Sequence, residues 1–314
     1  MASAPKYHVK GNLSEKQIEA DVSSFMGWCT PPEENIPFRL LDIDEQVTGA
    51  DKLFDRAALI FIQFKKSSGL KSTSSVKPSI RKNRSPLESI REFRSKYQLE
   101  DDLTLFFQLR QRASPDRELQ HNVLLGYERP PFSRAIYVAP LLLDKTDYHR
   151  ALHNSSTRFL LDPFYYRTRH LVHTEHWVSR FGMVPFLREH VSIPPHEEVT
   201  DHNHYFAYSE TGTDISWHSP SIVQREPSRL SDFLSKKIRS VFNDSDGMTS
   251  LEGLAAQVRE ISIHNGFLEG NQNNRESPID YLRRHAKWLS QTYEIRQFLL
   301  MGNSDQLAKI RDKR

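Results

Sequence analysis

The chain has a single cysteine, Cys29. That excludes an internal disulfide and every zinc finger that needs two or more cysteines. Glycine is scarce, 12 in 314 residues, and never spaced as Gly-x-x-x-x-Gly-Lys or Gly-x-Gly-x-x-Gly. Without a phosphate-cradling loop, ATP hydrolysis and nicotinamide chemistry have no support, and no nucleotide cofactor is expected. No serine nucleophile elbow is present either. No apolar run approaches a membrane span, and Met-Ala-Ser-Ala-Pro-Lys-Tyr-His has no apolar signal region. The sequence-based expectation is a cytoplasmic protein with no membrane partner. An excess of charge is missing too: net charge is only +3.

Aromatic residues are not scarce. With 18 Phe and 11 Tyr the chain can build a substantial core despite its hydrophilic average. The charge is also unevenly placed. Lys65 to Lys96 holds ten Lys or Arg against two Glu. Lys66, Lys71, Lys77, Arg81, Lys82 and Arg84 are candidate phosphate contacts, which would make nucleic-acid binding fall with salt. The same segment, 66–86, is rich in Ser and Lys and reads equally as a solvated, flexible basic loop.

The most informative stretch runs from Glu45 to Lys66. Ala57–Phe64 is almost wholly apolar, as a strand buried on both faces is. It ends, however, in Gln63 and Lys65, which share one strand face because side chains alternate with period two. Burying unpaired polar groups costs about 1–3 kcal/mol each, so this placement calls for a reason. Asp51, in Gly-Ala-Asp twelve residues before Gln63, opens what reads as a partner strand. An acid, then an amide, a spacer and a lysine suit metal-dependent phosphodiester hydrolysis. A hard cation takes oxygen ligands, and a lysine can orient or deprotonate water. Asp51, the Gln63 side-chain oxygen and the Phe64 main-chain carbonyl are the candidate ligands for Mg²⁺ or Mn²⁺, with Lys65 acting on the water. Because Gln63 is neutral, another acid is expected. Glu15 and Glu19, four apart on one face of the first helix, are the candidates, and Glu45 and Asp55 are also close in sequence.

Gly-Ala-Asp followed by Ile-Gln-Phe-Lys-Lys resembles the PD-(D/E)xK restriction-endonuclease-like nucleases, in the Gln-x-Lys variant of Mrr-type enzymes. The resemblance implies an α/β core in which a mixed sheet is flanked by helices. It also implies a catalytic set of Asp51, Gln63 and Lys65 joined by a helical glutamate at the position of Glu15 or Glu19. The proline usual before the acid is replaced by Ala50. The implied function is a DNA endonuclease of bacterial anti-phage defence or restriction, acting as a homodimer or with a partner defence subunit. The alternative is an inactive nucleic-acid-binding or assembly protein that keeps the fold.

Along the chain, Ser14 and Gln17 form a capping box, and Ile18, Val22, Phe25 and Met26 form the apolar stripe of a helix ended by Gly27. Strands are expected at Phe38–Ile43, Asp51–Phe54, Ala58–Phe64 and Ala135–Pro140. Helices are expected at Leu87–Tyr97, Leu103–Arg112 and Glu118–Glu128. Further on, Val191–Ile193, His204–Tyr208 and Ile215–His218 read as strands. Ser228–Phe242, Ser250–Ile263 and Pro278–Leu300 read as helices. This suggests a nuclease-like domain over 1–145 and an α+β extension of unknown role over 146–314. His196, Glu197, Glu198, Asp201, His202 and His204 read as a polar loop before a zinc site. The histidines at 170, 173 and 176 favour a partly buried face.

Overall fold

The computed structural model describes residues 5–28, 38–43, 54–78, 85–99, 102–112, 118–161, 185–217, 221–224, 229–243, 248–267 and 276–311. Asp51 and the Asp51–Phe54 strand, except Phe54 itself, lie outside them, as do Glu45, Arg81, Lys82, Arg84 and residues 162–184. Eleven strands are described: β1 (His8–Val9), β2 (Phe38–Asp42), β3 (Arg56–Phe64), β4 (Ser68–Lys71), β5 (Leu103–Gln108), β6 (Ser133–Pro140), β7 (His190–Ile193), β8 (Tyr205–Ser209), β9 (Ile215–Trp217), β10 (Ser221–Gln224) and β11 (Ile295–Gly302). The helices are α1 (Glu15–Trp28), α2 (Pro86–Lys96), α3 (Gln120–Gly126), α4 (Lys145–Leu161), α5 (Pro185–Arg188), α6 (Leu230–Asn243), α7 (Leu251–His264), α8 (Pro278–Tyr293) and α9 (Ser304–Arg311). None is long and apolar enough to cross a membrane.

The strands form two sheets, β1-β4-β5-β8-β9-β10 and β2-β11-β3-β6-β7. The first is antiparallel throughout. The second is mixed: β3 runs parallel to β6 and antiparallel to β11. Strand β3 is nearly all apolar because both its faces are covered. Leu59 and Phe61 point into a core shared with Leu105, Phe107 and Phe206 of the antiparallel sheet and with Leu254 and Leu282 of α7 and α8. Ala58, Ile60, Ile62 and Phe64 point the other way, onto Ile18 and Val22 of α1 and Leu230 and Leu234 of α6. The architecture is therefore α/β, a mixed sheet flanked by helices.

Helix starts follow their caps. Ser85, Ser250 and Ser277 each accept a bond from a backbone N–H of the first turn, and proline opens α2 and α8.

Three expectations need correction. Leu103–Arg112 is not helical; Leu103–Gln108 is strand β5, whose Leu105 and Phe107 enter the core. The helix begun at Pro278 ends at Tyr293, and Ile295–Gly302 is strand β11. The basic segment is not loop from Lys66 on, because Ser68–Lys71 is strand β4. Among the described residues, the neighbours of β3 are β11 and β6. Both sheets also take strands from either side of residue 145.

Candidate active site

Gln63 and Lys65 lie at the C-terminal end of β3, beside the C-terminal end of the parallel strand β6. Ligand sites in open α/β sheets favour this position. Gln63 pairs across the ladder with Ile295, at the start of β11. The Lys65 backbone N–H donates to the Val138 carbonyl, 2.8 Å, so the strand pairing continues one residue past Phe64.

Both side chains are buried, Gln63 2% exposed and Lys65 4%. Gln63 Nε2 donates to the Phe64 carbonyl at 3.1 Å. The proposed main-chain ligand is thus already engaged by the neighbouring amide. Gln63 Oε1 is buried with no hydrogen-bond partner among the described residues. Lys65 Nζ donates to Gln120 Oε1 of α3 at 3.2 Å. Burial pushes the Lys65 ammonium below the usual lysine range; Glu15 and Glu294 pull it back up, and Arg110 adds to the lowering.

The two helical glutamates part company. Glu15 Oε1 accepts the backbone N–H of Lys66 at 3.3 Å, which brings its carboxylate to the end of β3. Gly11 helps: a Cβ there would collide with the Ser67 carbonyl oxygen, so only glycine lets the segment before α1 lie against the chain leaving β3. Glu19 instead meets Arg296 at 3.3 Å, and Arg296 also binds Asp42 at the end of β2. Burial raises the Glu19 carboxyl above its usual range, Asp42 and Glu294 raise it further, and Arg296 opposes them. Glu19, Asp42, Glu294 and Arg296 border a cavity of about 950 Å³ between α1, β2 and the end of α8. No family model, curated protein or solved structure matches this chain.

Of the predicted site residues, the structure brings Glu15, Gln63, Phe64 and Lys65 together and sets Glu19 one turn further along α1. Asp51 lies outside the described residues. The chain is described again from Phe54, at the entry of β3, where Arg56 pairs with Gly302 at the opposite end from Gln63. Among the described residues no group of three or more His, Cys, Asp or Glu could hold a metal ion. In the basic segment, Lys66, Lys71 and Lys77 are exposed. Sequence reasoning missed Gln120, Arg110 and Glu294. Arg110 and Glu294 form an ion pair of 3.4 Å beside Lys65. Glu294 sat inside a segment read as helix, and nothing local to Gln120 or Arg110 marked them.

The polar loop before β8 is built around Trp217. Its Nε1 donates to Glu197 Oε1 at 2.8 Å, and His204 stacks on its ring.

Proposed function

We propose that the chain is a divalent-metal-dependent DNA endonuclease whose site lies at the C-terminal end of β3. The reading rests on one observation above all: the Gln63 side-chain oxygen is buried with no partner among the described residues, two residues before a buried lysine. An orphaned acceptor costs about 1–3 kcal/mol, which a bound cation would offset.

The donor set fits Mg²⁺ or Mn²⁺, since every candidate ligand is an oxygen. Gln63 and Glu15 would hold the ion together with Asp51. Glu19 is the less favoured helical acid, being engaged by Arg296. When bound, such an ion supplies charge for the phosphate and a more acidic water. The rest falls to the chain. Lys65, depressed by burial, can accept or return a proton at Nζ and orient water toward phosphorus. Glu15 keeps the N–H of Lys66 occupied and so fixes the turn that leaves β3. Exposed Lys66, Lys71 and Lys77, with Arg81, Lys82 and Arg84, would hold backbone phosphates. A restriction-endonuclease-like ancestry, a role in anti-phage defence and pairing of two copies for double-strand cutting belong to this same proposal.

The test is to incubate wild type and Lys65→Ala with supercoiled, linear and single-stranded DNA in Mg²⁺, Mn²⁺ or EDTA. Cutting by wild type alone, abolished by EDTA, is expected. Salt-sensitive binding by both proteins without cutting would replace this reading with that of a nucleic-acid-binding module.

A further inference from the structure

The cavity between α1, β2 and the end of α8 has no part in the chemistry proposed so far. Its volume of about 950 Å³ is far more than a lone ion fills, and it lies at the upper end of the range for small-molecule sites. Its place ties it to the candidate active site. Glu19, on one wall, follows Glu15 by four residues of α1, a rise of about 6 Å. Glu294, on another wall, also faces Lys65. The lining is mixed in character. Leu40, Leu41 and Phe298 contribute apolar surface, and Ser23 and Gln291 contribute neutral donors and acceptors. Ser23 Oγ is buried there with no hydrogen-bond partner among the described residues. Lys16 and Arg39 are exposed, which puts their charges at the mouth. Deeper in, Arg296 is held by Glu19 and Asp42.

This pattern narrows the occupant. A bare phosphate would meet the carboxylates of Glu19, Asp42 and Glu294, and a bare cation would meet Lys16, Arg39 and Arg296. A ligand anionic at one end, and flat and neutral at the other, avoids both conflicts. A nucleotide has that form. Its phosphate suits the exposed cations, its π-face suits apolar surface, and its base edge offers donors and acceptors to an amide and a hydroxyl. We propose that this cleft receives one unpaired nucleotide of a nucleic-acid strand. That the nucleotide adjoins the phosphate to be cut rests on the nuclease reading; the pocket itself does not. Inside a duplex each base is paired along its edge and stacked on its faces. It reaches such a pocket only from a single strand or after leaving the stack. The favoured substrate is therefore a single strand, or a duplex with an extruded nucleotide, ahead of intact duplex.

Ser24 of α1 and Gln291 of α8 supply the test, since both are exposed, both line the cleft and both sit on helices that accept leucine. A short fluorescein-labelled oligonucleotide, alone or annealed to its complement, is titrated with the full chain in EDTA, and anisotropy gives the affinities. Wild type is expected to bind the single strand about tenfold more tightly than the duplex. Ser24→Leu narrows the cleft and Gln291→Leu removes the amide. Together they should erase the preference and leave duplex binding unchanged. A second reading uses wild type alone: the Gln291 side-chain amide resonance should shift on adding the single strand and stay still on adding the duplex. Equal affinity for the two forms, a preference that survives the double variant, or an amide unmoved by the single strand would overturn the proposal. Cutting in Mg²⁺ is measured separately. A single-strand preference held by the cleft, with no cutting by wild type, would leave the pocket standing and count against the nuclease. Cutting by wild type without that preference would do the reverse.

Discussion

At the scale of the residue, Gln63 and Lys65 were legible because strand alternation is rigid. An amide and an ammonium two apart at the end of an apolar run must share a face, whatever the fold. Their partners were not legible, because Gln120, Arg110 and Glu294 reach them only through tertiary packing. The orphaned oxygen of Gln63 gives a sharp prediction. Gln63→Leu should stabilise the metal-free protein by about 1 kcal/mol, since an unpaired buried acceptor is removed. The same change should lower cleavage by at least about 100-fold. Urea unfolding in EDTA and a plasmid-cutting assay check the two halves; a destabilised variant that still cuts normally would sink the assignment.

Three histidines make a second prediction at this scale. His121, His190 and His285 are buried, and burial lowers each from 6.5 to about 4. His190 donates from Nδ1 to the Phe186 carbonyl, while its Nε2 has no hydrogen-bond partner among the described residues. His285 sits between Gln297 and Tyr127. Between about pH 4 and 6.5 the unfolded chain binds these protons and the folded chain does not. Stability therefore rises with pH across this window and is lost as pH falls through it. Each group contributes about 1.4 kcal/mol per pH unit mid-window. Urea midpoints from pH 4.5 to 7 should show the slope, and His190→Asn should remove about a third of the histidine share.

At the scale of the element, Glu294 decides where α8 stops. Its φ of 54° places a non-glycine residue in the left-handed region, and its N–H closes the helix onto the Leu289 and Ser290 carbonyls. Glycine adopts that conformation without the Cβ clash. Glu294→Gly should therefore raise stability by about 0.5–1 kcal/mol, because the half-exposed ion pair with Arg110 contributes little. Denaturant midpoints would show it, and a clear loss would mean that the ion pair outweighs the strain. This cap also explains the misread strand. Phe298–Met301 is apolar on consecutive positions, since β11 is covered on both faces, and it carries no alternation to distinguish it from helix. Leucine, methionine, glutamine and arginine, good helix formers, make up Arg296–Met301 apart from Phe298 and deepen the ambiguity. Strand β5 failed for a related reason: Leu105, Phe106 and Phe107 are buried in succession because that sheet has cores on both sides. Strands β2 and β3 were legible since branched and aromatic residues dominate them, and β6 through its Ile136-Tyr137-Val138 run.

At the scale of the whole molecule, the mixed sheet is closed by the far end of the chain. Strand β11 lies between β2 and β3 and forms ladders with both, from Phe298↔Asp42 to Gly302↔Phe38 on one side and from Ile295↔Gln63 to Gly302↔Arg56 on the other. The antiparallel sheet likewise joins β5 to β8. A fragment of residues 1–145 would leave β3 with one bare edge and half its core uncovered. It is expected to lack a cooperative unfolding transition, and circular dichroism with limited proteolysis would detect this. A folded, protease-resistant fragment would show that the N-terminal part stands alone.

The late arrival of β11 also sets a clock. A ribosome makes Gln63 and Lys65 long before Ile295–Gly302, so the nascent chain carries these two side chains well before the strand that pairs beside them. Until synthesis passes α8, Glu294 and the Tyr293 carbonyl that accepts from Gln120 do not exist. Premature termination anywhere upstream yields a product without the assembled site. For a protein proposed to cut the DNA of its own surroundings, that ordering would act as a safeguard written into topology: only a chain that has reached β11 could be armed.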